Sequence, residues 1–322
     1  MASLRGAGLL ALYVGAQVVA LFLAFPFKSA GLATTSNPNS PTDPILIIAI
    51  IVIAPLFILW GARRSGGLST LRWIILLGMG ASLDITLGAV FALVTPAPVY
   101  LPPYGLAQVL DVSVPLAAVV AVGLFLALLI EPQWYVVDTA GFLAGGSLIA
   151  LLGISFGILP CFILLGVLAV YDFIAVYRTK HMVSLADVVT DLKLPILMVM
   201  PTGAGYDYTR TGSFQEQRNI PVEEREAMFM GLGDVVIPGT LIVSAFVWLP
   251  ATVVFGGVGA NLLTAIGTLL GSLVGYAFLM VRVARGNAQA GLPFLNGGAL
   301  AGYIVTFLLL YHSTSLGLTL AL

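Results

Sequence analysis

Two aspartates stand apart from the other ionisable residues of the chain. Asp172 lies near the end of one apolar run, six residues before Arg178, and Asp234 lies six residues beyond Met228, where the next run begins. At a helical rise of roughly 1.5 Å per residue, both are placed about 9 Å inside the same boundary, on neighbouring antiparallel segments. An ionisable group in hydrocarbon costs about 3 kcal/mol even on the gentler insertion scales. No Lys or Arg within these runs neutralises either one. Two carboxylates a few ångströms apart cannot both ionise readily, so such a pair shares one proton over a broad pH range. The ionised member can take a proton from water as general base while the protonated member hydrogen-bonds a carbonyl oxygen. A tetrahedral intermediate and hydrolysis follow, with no metal, cofactor or covalent intermediate required. The titration belongs to the pair, so neither aspartate is singled out as the base.

The residues around the pair support this reading. Asp234 stands in Gly231-Leu232-Gly233-Asp234, and two glycines in a helix cost roughly 1 kcal/mol each relative to Ala. Without side chains they let a facing helix or a bound backbone come close to the carboxylate. Pro238 follows four residues later and frees the Asp234 carbonyl, because proline has no N–H to give it. Tyr171 precedes Asp172, and at about 100° around the helix its phenol borders the same cavity from another direction.

Other hydrolytic chemistries lack their parts. There is no H-E-x-x-H for a zinc site, and no Gly-x-Ser-Gly; the two histidines, His181 and His312, lie near opposite membrane faces, which splits any Ser-His dyad. The single cysteine, Cys161, reads as a small buried hydrophobe. No metal site and no cofactor is expected.

The elements that must position the pair are membrane helices. Of 322 residues, 60% are apolar and 8% charged, against roughly 45–50% and about 25% in soluble domains. A net charge of -1 leaves no basic field for nucleic acid. A spanning helix needs about 20 mostly apolar residues. Nine stretches meet that need: 7–26, 45–62, 73–94, 109–130, 135–156, 158–177, 228–249, 251–281 and 292–312. With nine spans, twelve of the thirteen basic residues fall on one side: Arg5, Arg63, Arg64, Arg72, Arg178, Lys180, Lys193, Arg210, Arg218, Arg225, Arg282 and Arg285. Lys28 alone falls on the other. Basic residues mark the cytoplasmic side, so the expected fold is an all-α polytopic membrane protein with nine transmembrane helices, a cytoplasmic N-terminus and an external C-terminus.

Loop length divides the chain into a six-helix part over 1–177, a cytoplasmic loop over 178–227 and a three-helix part over 228–322. The loop holds seven of the fourteen acidic residues. Its first portion, Ser184 to Met200, has the apolar spacing of an interfacial helix, and the polar, turn-rich stretch from Pro201 to Pro221 reads as a mobile linker. Three further carboxylates enter the apolar stretches. Asp111 and Asp138 sit near helix starts, where free N–H groups or headgroup water can satisfy them. Asp84, twelve residues past Arg72, lies near mid-bilayer and calls for a hydrogen-bond partner inside the bundle.

Tyr171-Asp172 on a sixth helix, Gly231-Leu232-Gly233-Asp234 on a seventh after a long loop, and Leu292-Pro293 opening a ninth together resemble the presenilin and signal peptide peptidase family of GxGD intramembrane aspartyl proteases. The resemblance implies a presenilin-like fold, catalytic roles for Asp172 and Asp234, and support from Tyr171, Gly231, Leu232 and Gly233. The family's Pro-Ala-Leu-Pro motif is present only as Ala290-Gly291-Leu292-Pro293, with its first proline lost. A cytoplasmic N-terminus is similar to presenilins, whereas signal peptide peptidases are inverted. The short chain, without a glycosylation sequon, fits a small microbial homologue in a prokaryotic cell membrane. The substrates implied are transmembrane helices, which must unwind before water reaches a peptide carbonyl. An unwound stretch can pair, strand to strand, with irregular backbone at Ala290 to Pro293 and with the linker ahead of the seventh helix.

Three other readings compete on the same residues. Paired intramembrane carboxylates also serve proton- or cation-coupled transporters, in which Asp84 would join Asp172 and Asp234. Prepilin-type peptidases share GxGD, but a Lys commonly stands there two residues after the aspartate, where this chain has Val236. A noncatalytic helical bundle predicts no product at all.

Overall fold

Where water is absent, backbone N–H and C=O groups must be satisfied within the segment, and an apolar run accordingly becomes a helix. A computed structural model describes the chain except residues 1, 36, 41, 63–66, 95–98, 101–108, 111–112, 180–184, 186–187, 189, 191–195, 204, 209–223, 284–288 and 319–322. Among the described residues each of the nine apolar stretches carries one long helix. These are α1 (Ala2–Ser29), α2 (Thr42–Ala62), α3 (Gly67–Val94), α4 (Ser113–Ile130), α5 (Trp134–Ser155), α6 (Ile158–Tyr177), α7 (Leu232–Trp248), α8 (Ala260–Val283) and α9 (Leu292–Tyr311). Seven are long and apolar enough to cross a membrane; the apolar parts of α4 and α7, Leu116–Ile130 and Leu232–Trp248, are shorter.

Three short antiparallel hairpins join them: β1 (Val99–Tyr100) with β2 (Val109–Leu110), β3 (Leu197–Pro201) with β4 (Ala227–Gly231), and β5 (Val253–Phe255) with β6 (Val258–Gly259). The second hairpin corrects two sequence expectations. The segment Ser184 to Met200 does not end as an interfacial helix: Leu185, Val188 and Thr190 are helical, but Leu197 to Pro201 is strand. Residues 227–231 are its partner strand, so the seventh helix starts at Leu232 rather than Met228 and the three-helix part starts with it. Five apolar residues running into a proline suit a strand as well as a helix, and mutual pairing decides the matter. The third hairpin likewise shortens the eighth helix, which begins at Ala260. Gly256 and Gly257 form its turn with φ of 57° and 84°, values that L side chains rarely adopt. Asp111, most of the polar linker and several of the basic loop residues lie outside the described residues.

The main core gathers α1, α5, α6, α7, α8 and α9 around residues such as Tyr13, Ile149, Leu165, Leu241 and Tyr303. A second cluster joins α3, α4 and the start of α5 to the β3–β4 hairpin through Leu83, Ala140, Val199 and Tyr208. Polar side chains cross-link the helices. Gln17 of α1 donates to the Val235 carbonyl of α7 at 2.9 Å, and Ser244 of α7 donates to the Phe156 carbonyl at 2.8 Å. Tyr13 of α1 donates to Ser272 of α8 at 2.9 Å. Cys161 is fully buried.

Helices α8 and α9 meet backbone to backbone. A methyl group built at Gly271 would strike the Gly298 carbonyl and come within 2.7 Å of the Gly302 Cα; one at Gly275 would strike Phe294. These glycines pack inside the chain, as the G-x-x-x-G spacing at Gly271 suggests. We expect Gly271→Val to cost about 2–3 kcal/mol by overpacking and to lower the thermal unfolding midpoint by at least about 5 °C. Gly78→Ala in α3, where a methyl meets nothing within 4 Å, serves as the control and leaves the midpoint unchanged or raised.

Candidate active site

Asp172 projects from the last third of α6 and is buried, with 5% of its surface exposed. Asp234 sits in the first turn of α7, three residues past Gly231 at the helix N-cap. β4 is extended where the sequence suggests a helical turn, so Asp234 lies at the start of α7 while Asp172 lies near the end of α6. The structure nonetheless brings them together through a third element, the start of α9. The Leu292 N–H donates to Asp172 Oδ2 at 3.1 Å. One residue earlier, a Cβ on Gly291 would lie 2.7 Å from Asp234 Oδ2 and 2.8 Å from its Oδ1. The Gly291–Leu292 backbone thus meets both carboxylates.

The absence of a side chain at Gly291 is what permits this. Its backbone is helical (φ -78°, ψ -45°), so no unusual dihedral demands glycine; the space taken by Asp234 does. Gly231 is milder: a Cβ there would come 3.4 Å from Asp234 Oδ2. It caps α7 rather than sitting inside it, so only Gly233 carries the helical cost expected from sequence. A Cβ on Gly233 would meet nothing within 4 Å. Leu232 is buried and packs against Gly145 of α5. Tyr171 is half-buried beside Asp172. Pro293 occupies the first turn of α9, where its missing N–H leaves no helical bond unmade.

The stretch ahead of α9 is fastened to α6 on either side of Asp172. Tyr177 donates to Gln289 Oε1 at 2.8 Å and accepts the Ala290 N–H at 3.4 Å. Further along, Asn296, fully buried, donates to the Leu165 carbonyl at 2.9 Å. Sequence reasoning missed Tyr177 and Asn296. Their signal was a polar group within an apolar run, which in a bundle marks an interhelical tie. Ala290 and Leu292 are buried beneath these contacts.

The remaining carboxylates of the spans lie elsewhere. Asp84 is exposed on α3, not hydrogen-bonded inside the bundle as its depth suggests, and takes no part in the site. Asp138 is buried on α5 and accepts the Val199 N–H of β3 at 2.7 Å instead of being satisfied at its own helix start.

The geometry accords with what the chain is similar to. The sequence pattern of the family described as "Signal-peptide peptidase, presenilin aspartyl protease" matches residues 10–311. Two solved structures of a presenilin family intramembrane aspartate protease resemble the chain over nearly their whole length. One, in a C222 space group, is 28% identical with a TM-score of 0.64, covering 95% of this chain and 99% of the other. The second, in a P2 space group, is 29% identical with a TM-score of 0.61, covering 94% and 97%. No curated protein sequence matches the chain. An integral membrane hydrolase of presenilin-like fold accounts for all of these findings, and the chain belongs to the signal-peptide peptidase and presenilin family of aspartyl proteases.

Proposed function

We propose that the chain hydrolyses peptide bonds within transmembrane helices of other membrane proteins, with Asp172 and Asp234 as a paired acid and base. The observation that carries this reading is the contact of Gly291 and Leu292 with both carboxylates, since it fixes two acids from different helices on one short piece of backbone. The ionised member of the pair takes a proton from water as the water oxygen attacks the scissile carbonyl carbon, and the protonated member hydrogen-bonds the carbonyl oxygen. Collapse of the tetrahedral intermediate breaks the C–N bond, and the leaving nitrogen takes the proton back. Asp84, exposed on α3, lies outside the site and does not join the pair.

The substrate must present an extended backbone, and the β3–β4 hairpin leads straight into the helix that carries Asp234. Strand addition to this hairpin, continued along Ala290 to Pro293, would hold the unwound stretch against the dyad. Nine crossings, an N-terminus in the cytoplasm and a C-terminus outside follow from the twelve-to-one split of basic residues and set the site near the cytoplasmic face of a prokaryotic cell membrane. Residues 1–177 form a six-helix part, and the three-helix part begins at Leu232.

Purified protein in detergent is expected to cut a synthetic transmembrane peptide in the presence of chelators. Either Asp172→Ala or Asp234→Ala should abolish cutting, and Gly291→Ala, by displacing the Asp234 carboxylate about 1 Å, should slow it on the order of a hundredfold. Cleavage that survives both aspartate variants overturns the mechanism. Strand addition is checked with peptides N-methylated one residue at a time: losses of rate should alternate with a period of two, and uniform tolerance would exclude it. Because Cys161 is the one cysteine and is buried, orientation is measurable by placing a cysteine at Ser3 or Asn37. An impermeant thiol reagent should label position 37 from outside intact cells and spare position 3; the reverse pattern would invert the topology.

A further inference from the structure

Asp138 lies in the fifth position of α5, beyond reach of the free N–H groups of that helix's first turn. It is buried, its Oδ1 accepts the Val199 N–H at 2.7 Å, and its Oδ2 has no hydrogen-bond partner. A buried carboxylate so placed is costly, and packing alone does not call for it. Val199 shows what it holds. The Leu232 N–H donates to the Ile196 carbonyl at 2.8 Å and the Thr202 N–H to the Glu226 carbonyl at 2.7 Å. In the alternating antiparallel pattern, Met198 and Met200 then exchange bonds with β4, while Val199, opposite Phe229, turns its backbone groups to the other edge of β3. On that edge Asp138 meets it.

We propose that Asp138 is a positioning residue that clamps the β3–β4 hairpin to α5 and thereby fixes where β4 delivers Asp234. The proposal rests on the dyad reading for its catalytic consequence, but not for the clamp itself. Phe229, opposite the clamped residue, is five residues before Asp234, and β4 runs into α7 without a break. Val199 and Ala140 pack together in the second cluster, but on the Met200 side the packing is incomplete, because a cavity of about 460 Å³ opens between Met200 of β3, Leu12 of α1, and Phe142 and Asp138 of α5. Tyr208, buried in the same cluster, has its phenol pushed above the usual range, by burial foremost and by Tyr206 and Asp138 nearby, and so stays neutral beside the carboxyl. A carboxyl receiving a backbone N–H is among the stronger hydrogen bonds available to hold a short strand.

The test uses the full chain in detergent with two readouts, kcat for a synthetic transmembrane peptide and deuterium exchange of the peptide amides over 197–201. Removing one such hydrogen bond is worth about tenfold, so Asp138→Ala should lower kcat and speed exchange by about that factor. Asp138→Asn, which keeps an oxygen acceptor, should restore both to near wild type. Val199→Pro deletes the donor but sets its ring against the Asp138 carboxyl, so it is read in the Asp138→Ala background, where it should add nothing to the loss that Asp138→Ala already causes. Wild-type kcat and exchange in Asp138→Ala, or an Asn variant as impaired as Ala, would overturn the clamp. Exchange repeated in the Asp172→Ala background reads the clamp without catalysis. Failure of the dyad reading, seen as cleavage that survives Asp172→Ala, is thereby kept distinct from failure of this proposal.

Discussion

A carboxylate inside a bilayer must find its hydrogen bonds within the protein, and that requirement organises the centre of this molecule. Asp172 finds a backbone N–H at the start of α9, Asp234 lies against the glycine just before it, and α9 is in turn held on α6 by Tyr177 and Asn296. Were the start of α9 to move, Asp172 would be left without its donor and Asp234 without its wall. The arrangement is thus mutually dependent: α6, α7 and α9 each supply what the other two lack.

A second buried carboxylate follows the same rule with a different partner. Asp138 is met by a strand instead of a helix end, and so ties to α5 a hairpin whose strands of five residues each are too short to be stable alone. The hairpin leads into the helix that carries Asp234, and the start of α9, from a separate part of the chain, meets both aspartates through its backbone.

Much of this was legible in the residues. The apolar runs were long enough to fix nine helices, and the two aspartates stood out because nothing in their own runs neutralised them. What escaped was decided by partners far away in sequence. Ile196 to Met200 and Met228 to Met230 are short apolar runs whose helical and extended readings are equally good until the two are set side by side. The Gly256-Gly257 turn carried a hairpin signal that its apolar surroundings concealed. Asp138 looked locally satisfied because its distance from a helix start was counted to within a turn, and the need for glycine at 291 came from an atom of Asp234 that no spacing rule reveals.

The contact between α8 and α9 has a mechanical consequence. Where Gly271 and Gly275 abut Gly298, Gly302 and Phe294, there is no layer of side chains to change rotamer and absorb a shift. The two helices therefore move together, and α9 carries with it the Gly291–Leu292 backbone that meets both aspartates. Any breathing that admits a polypeptide to the two aspartates must be taken up elsewhere, in the interfaces padded by leucine, isoleucine and valine, which can yield without parting the acids from their common support.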